Sequence, residues 1–133
     1  MRAVDTNVLA RYYLHDDPVQ ARRAERLLAS GDVFVPKTVA LELEWVLRSV
    51  AGQPARKVLD CLAHLLALPG ITIEDHDQVE SALKHCRGGV DFADALHHAA
   101  SHACMELLTF DDRRYVRRAA RLGLKPPVRL LRN

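Results

Sequence analysis

Aromatic residues are scarce, at 5% of the chain, which excludes ring stacking as the main mode of any nucleic-acid binding. Cysteines are few and odd in number. Cys61, Cys86 and Cys104 have no paired spacing, which argues against a disulfide framework and for a reducing, cytoplasmic setting. No apolar run approaches the ~20 residues of a bilayer span, so no membrane is expected among its partners. The opening Met1-Arg2-Ala3-Val4-Asp5 lacks the charged-then-apolar pattern of a secretory signal. Internal repeats and low-complexity stretches are also lacking.

What remains is the composition of a globule. The 133 residues suit a single domain over positions 1–133, and 49% apolar with 27% charged residues is ordinary for a packed core. The net charge of +2 conceals an asymmetry. Residues 1–110 carry 11 basic and 15 acidic side chains, whereas residues 111–133 carry 8 basic and 2 acidic. An acidic body with a basic tail raises the question of nucleic acid.

Short apolar runs alternate with helical patterns. Arg2–Val4, Val33–Val35, Ile71–Ile73, Leu107–Phe110 and Val128–Leu131 read as strands. Between them, helices are predicted over Val8–Leu14, Pro18–Ser30, Ala55–Leu68, Asp77–Cys86, Asp91–Cys104 and Asp112–Leu122, and from a Thr38 cap through Leu47. No hairpin signal joins two strands. Such alternation predicts an α/β fold: a central parallel sheet of about five strands, covered by helices on both faces. Sites in such folds lie outside the carboxyl ends of the strands.

Carboxylates stand at those ends. Asp5 follows the first strand and Asp111 the fourth; Glu42 and Asp94 lie in apolar helical stretches. Ionised carboxylates in apolar surroundings are costly unless paired or bound to a cation. Two carboxylates 4 Å apart repel by ~4 kcal/mol at an effective dielectric near 20, so four in one cleft would require a divalent ion. An all-oxygen site suits Mg²⁺ or Mn²⁺, and such ions serve phosphodiester cleavage. Taken singly, each carboxylate has a plainer reading, as a helix cap or a solvated residue.

Four motifs carry a resemblance: Asp5-Thr6-Asn7-Val8-Leu9, Glu42-Leu43-Glu44-Trp45-Val46-Leu47, Asp91-Phe92-Ala93-Asp94-Ala95 and Thr109-Phe110-Asp111. In order and separation, over essentially the whole chain, they resemble the PIN-domain ribonucleases of the VapC toxin family. The resemblance implies a PIN-like three-layer sandwich. It also implies a metal-dependent endoribonuclease, the toxin of a toxin–antitoxin pair, hydrolysing RNA phosphodiester bonds with a metal-activated water. Asp5, Glu42, Asp94 and Asp111 would be the catalytic and Mg²⁺- or Mn²⁺-binding residues. Asp91 and Asp112 are additional acidic candidates, Asp91 doubling as a helix cap. Thr6, Asn7 and Thr109 are candidates for hydrogen bonds to those ligands or to phosphate. Implied partners are a structured RNA, a cognate antitoxin and a second copy of the chain in a homodimer.

Other features carry less. Arg113, Arg114 and Arg117 read either as a solvated face or as contacts to RNA phosphates. A second arginine cluster stands at Arg22, Arg23 and Arg26. His98 and His102 have the spacing of a zinc pair but lack its neighbouring ligands, so His97, His98 and His102 read as surface or interface residues. Glu44, two positions from Glu42, falls on another helical face and is set aside. Alternatives are a free-standing PIN nuclease, a haloacid-dehalogenase-like phosphatase, a receiver domain and an inactive binding module. The phosphatase wants an aspartate where Asn7 stands. A receiver wants a lysine after the fifth strand, and the late lysine, Lys125, precedes it.

Overall fold

The computed structural model describes residues 1–110 and 113–132. Among the described residues, five strands alternate with seven α-helices. The chain divides into two compact units, Met1–His76 and Asp77–Asn133.

In the first unit, β1 (Arg2–Ala3), β2 (Val33–Val35) and β3 (Ile71–Ile73) form a parallel sheet in that order. Val33 pairs with Arg2 on one side and Ile71 on the other. Val33 and Val35 are wholly buried, as the middle strand of a covered parallel sheet requires. Helices α1 (Thr6–Leu14), α2 (Pro18–Ser30), α3 (Lys37–Trp45) and α4 (Ala55–Ala67) supply the crossovers. Leu9, Leu28, Leu43, Leu62 and Leu65 turn inward from them to make the core.

Local chemistry sets the boundaries. Asp17 accepts from the amides of Val19 and Gln20, and Pro18 occupies the first helical position, so α2 starts where the sequence predicts. Gly70 has φ +76°, and a Cβ there would lie 2.8 Å from the Gly31 Cα. The approach leaves no room for a side chain at position 70, and it seats the start of β2 against the turn before β3 through Val33 N–H to Gly70 O, 3.1 Å.

The expected Thr38 cap is corrected. Pro36 precedes α3, and no local side chain caps the helix. Glu74, past β3, accepts from the Lys37 amide at 2.8 Å instead, while Lys37 Nζ meets Asp75 at 2.9 Å. At its far end α3 widens into a π-helical turn, Val46–Val50, before Gly52.

In the second unit, β4 (Leu107–Thr109) and β5 (Val128–Leu130) form a parallel pair. Helices α5 (His76–Arg87), α6 (Phe92–Ala100) and α7 (Arg113–Arg121) complete the chain, with α5 beginning at the unit boundary. The expected α6 through Cys104 stops at Ala100, where the Ser101 amide bonds the His98 carbonyl only three residues back, at 3.0 Å.

The α/β class and parallel pairing agree with the sequence reading. The strands run for only two or three residues, and the described residues form a three-stranded and a two-stranded sheet where one sheet of about five was expected.

Candidate functional site

Asp5 leaves β1 in an extended conformation and becomes the N-cap of α1, accepting from the Val8 amide at 3.2 Å. Capping occupies one carboxylate oxygen and leaves the side chain exposed. Thr6, the first residue of α1, is buried at 5% exposure. Its Oγ1 donates to Glu42 Oε1 on α3, 36 residues away. That bond ties the first acidic motif to the second. Asn7, next along α1, is exposed.

Glu42 is itself exposed, so the desolvation argument made for it from sequence is corrected. The buried carboxylate of α3 is Glu44, at 5% exposure. Arg48, one turn on, meets it twice, Nε to Oε2 at 2.7 Å and Nη2 to Oε1 at 3.2 Å. Such a fork satisfies both oxygens. Sequence reasoning set Glu44 aside, although the i,i+4 arginine was its signal. The division of labour on α3 is thus a structural carboxylate at 44 and an accessible one at 42.

In the second unit, Asp91 caps α6, and its Oδ2 accepts from the Asp94 amide at 3.3 Å. Asp94 lies in the first turn and is half-buried, with a further interaction of its own. The amide end of a helix favours negative charge there. Tyr115, on α7 and buried, donates its hydroxyl to the Asp94 carbonyl at 3.3 Å. The sequence reading missed this contact; its signal was one large ring inside an arginine-rich helix.

Thr109 ends β4, half-buried, and its carbonyl accepts from Leu131 at 2.7 Å. Asp111 and Asp112 lie outside the described residues. Arg113, Arg114 and Arg117 are exposed along α7. Arg118 folds against Gly89.

The expectation that His98 is a surface residue is corrected. His98 is buried at 4% exposure, and its Nε2 bonds the Pro126 carbonyl at 2.8 Å. Its ring meets His85 edge-on at a centroid distance of 6.4 Å. Burial, then the neighbouring His98 and Lys84, lowers the His85 pKa. His97 and His102 are exposed as expected.

In neither unit do the described residues gather three His, Cys, Asp or Glu side chains suited to a metal ion. The donor chemistry is nonetheless that of a hard cation. The carboxylates of the motifs offer oxygen alone, which fits Mg²⁺ or Mn²⁺ in preference to zinc.

The sequence matches the PIN domain family model over residues 2–122. Among solved structures, the VapC20 toxin of Mycobacterium tuberculosis, a sarcin–ricin loop cleaving toxin, is similar at 21% identity. The match covers 85% of this chain and 92% of that one, with a TM-score of 0.43. No curated protein matches significantly in sequence. With the family model spanning residues 2–122, the chain belongs to the PIN domain family.

Proposed function

We propose that the protein is a metal-dependent endoribonuclease acting as the toxin of a toxin–antitoxin pair. The observation that carries the reading is the hydrogen bond from Thr6 to Glu42, which ties two acidic motifs distant in sequence. A carboxylate kept accessible yet held by a buried hydroxyl suits ligation better than fold stability, a task that Glu44 already fills on the same helix.

In this reading Asp5, Glu42, Asp94 and Asp111 hold the cation, with Asp91 and Asp112 as further acidic members. The family match and the four ordered motifs support the assignment. A bound Mg²⁺ or Mn²⁺ would supply water activation and charge neutralisation at the phosphate. Thr6 fixes the Glu42 carboxylate, leaving its other oxygen for the cation or for a water proton. Asp91 holds the first turn of α6, and Tyr115 restrains the Asp94 backbone. Asn7 and Thr109 are donors for phosphate oxygens, and Arg113, Arg114 and Arg117 offer exposed positive charge to the RNA backbone. Attack by water leaves a 3′-hydroxyl and a 5′-phosphate. We place the protein in the cytoplasm as a homodimer of a single PIN domain, held inactive by its antitoxin.

Induced expression tests the reading. The unaltered protein should arrest growth and leave cellular RNA cut to 5′-phosphate ends. Asp5→Asn at equal protein level should do neither. Arrest that persists with Asp5→Asn contradicts the proposal. RNA cleavage without arrest favours the free-standing nuclease.

A further inference from the structure

A groove between α2 and α1, the helix that Asp5 caps, has a volume of about 290 Å³. That is the lower end of small-ligand sites, which run from roughly 300 to 1,000 Å³. Its polar wall is Asn7, Arg11, Gln20 and Arg23, with no acidic side chain among the lining residues. Its apolar wall is Val8, Ala24 and Leu27.

Arg11 is committed within the fold. Its Nη1 meets Asp16 at 2.7 Å, and its Nε donates to Gln20 Oε1 at 2.9 Å. The second bond fixes the Gln20 carboxamide so that its NH₂ group remains for a ligand. Asn7 and Arg23 are exposed, and neither side chain has a hydrogen-bond partner among the described residues. The groove therefore presents a cation, an oriented amide donor and a second carboxamide across from an aliphatic surface. A larger cavity of about 440 Å³ beside Tyr12, Tyr13 and His64 offers no such complementarity, since Glu25 and Asp60 there oppose Lys57.

We infer that the α1–α2 groove is a subsite for one nucleotide of the RNA. Arg23 and Asn7 take phosphate oxygens, Gln20 takes a base or ribose acceptor, and Val8, Ala24 and Leu27 lie against the sugar or base face. Asp5 caps the Val8 amide, so the subsite begins within one helical turn of that carboxylate. The inference rests on the ribonuclease reading and adds to it a residue set that places RNA beside Asp5.

The test is an amide NMR titration of the full chain, without added metal, with each common ribonucleoside 5′-monophosphate in turn. Shifts should cluster at Asn7, Val8, Gln20, Ala24 and Leu27. Arg23→Ala should weaken the apparent Kd about tenfold, the scale of one charge-assisted hydrogen bond. Arg22→Ala removes the same charge from the same helix outside the groove and should change it less than about twofold. No clustered shifts, or equal weakening by both variants, overturns the subsite; a groove built for a peptide would give the first result. RNA cleavage is then assayed in the same preparation after Mg²⁺ or Mn²⁺ is added. Clustered shifts without cleavage overturn the ribonuclease reading, and cleavage without clustered shifts overturns the subsite.

Discussion

Thr6 and Glu42 are joined by a side-chain hydrogen bond across 36 residues, with the threonine hydroxyl as donor. The donor is buried and the acceptor exposed. The bond thus fixes a solvent-facing carboxylate from beneath. Thr6→Val keeps the shape and removes the donor. It should lower RNA cleavage about tenfold, within the roughly 10–100-fold range for residues that orient metal ligands. Thr6→Ser should restore most of the loss. Cleavage rates against Mg²⁺ concentration decide the matter, since a merely structural role would not shift the metal dependence.

Glu44 and Arg48 lead to a stability prediction. The glutamate side chain is 6% exposed and the arginine 42%, so solvent screens one end of the pair only. Arg48→Ala leaves a buried carboxylate without its fork and should cost about 1–3 kcal/mol in urea unfolding. Adding Glu44→Leu should recover part of that loss, because the stranded charge is then gone.

How far the chain was legible from sequence follows the range of each interaction. The α2 start and the end of β2 were readable because Asp17, Pro18 and Pro36 act on their own neighbours. The α3 start was not, because the Lys37 amide finds its acceptor in Glu74, 37 residues on. Asp5 and Asp91 were readable as strand-end and helix-start carboxylates, and both are caps. The exchange of roles between Glu42 and Glu44 was hidden, since two glutamates two apart look alike until the buried face is known. His98 was misread for a similar reason. Its burial depends on the carbonyl of Pro126, 28 residues away.

His85 makes stability depend on pH. Its pKa is lowered in the folded protein, chiefly by burial, and its buried Nδ1 has no hydrogen-bond partner among the described residues. The unfolded chain therefore binds the proton first. Stability from this residue is present above the unfolded value near 6.5 and is lost as pH falls through the lower folded value. Melting temperature should drop between neutral pH and pH values below that unfolded value. His85→Leu should flatten this drop.

Gly70 tests the backbone contact with Gly31. Gly70→Ala adds a Cβ 2.8 Å from the Gly31 Cα at φ +76°, backbone against backbone. It should cost about 1–3 kcal/mol. Gly52→Ala, at φ +66° with nothing within 4 Å, should cost only about 1 kcal/mol. Urea midpoints of the two variants give the comparison.

The claim that acidic residues of this PIN domain hold a cation for RNA hydrolysis is tested most directly by one cleavage series. RNA is incubated with purified protein across Mg²⁺ and Mn²⁺ concentrations and in EDTA, for the unaltered chain, Asp5→Asn and Asp94→Asn. The account predicts cleavage that rises with metal, vanishes in EDTA and is lost in both variants. Cleavage that survives EDTA and both substitutions would contradict it.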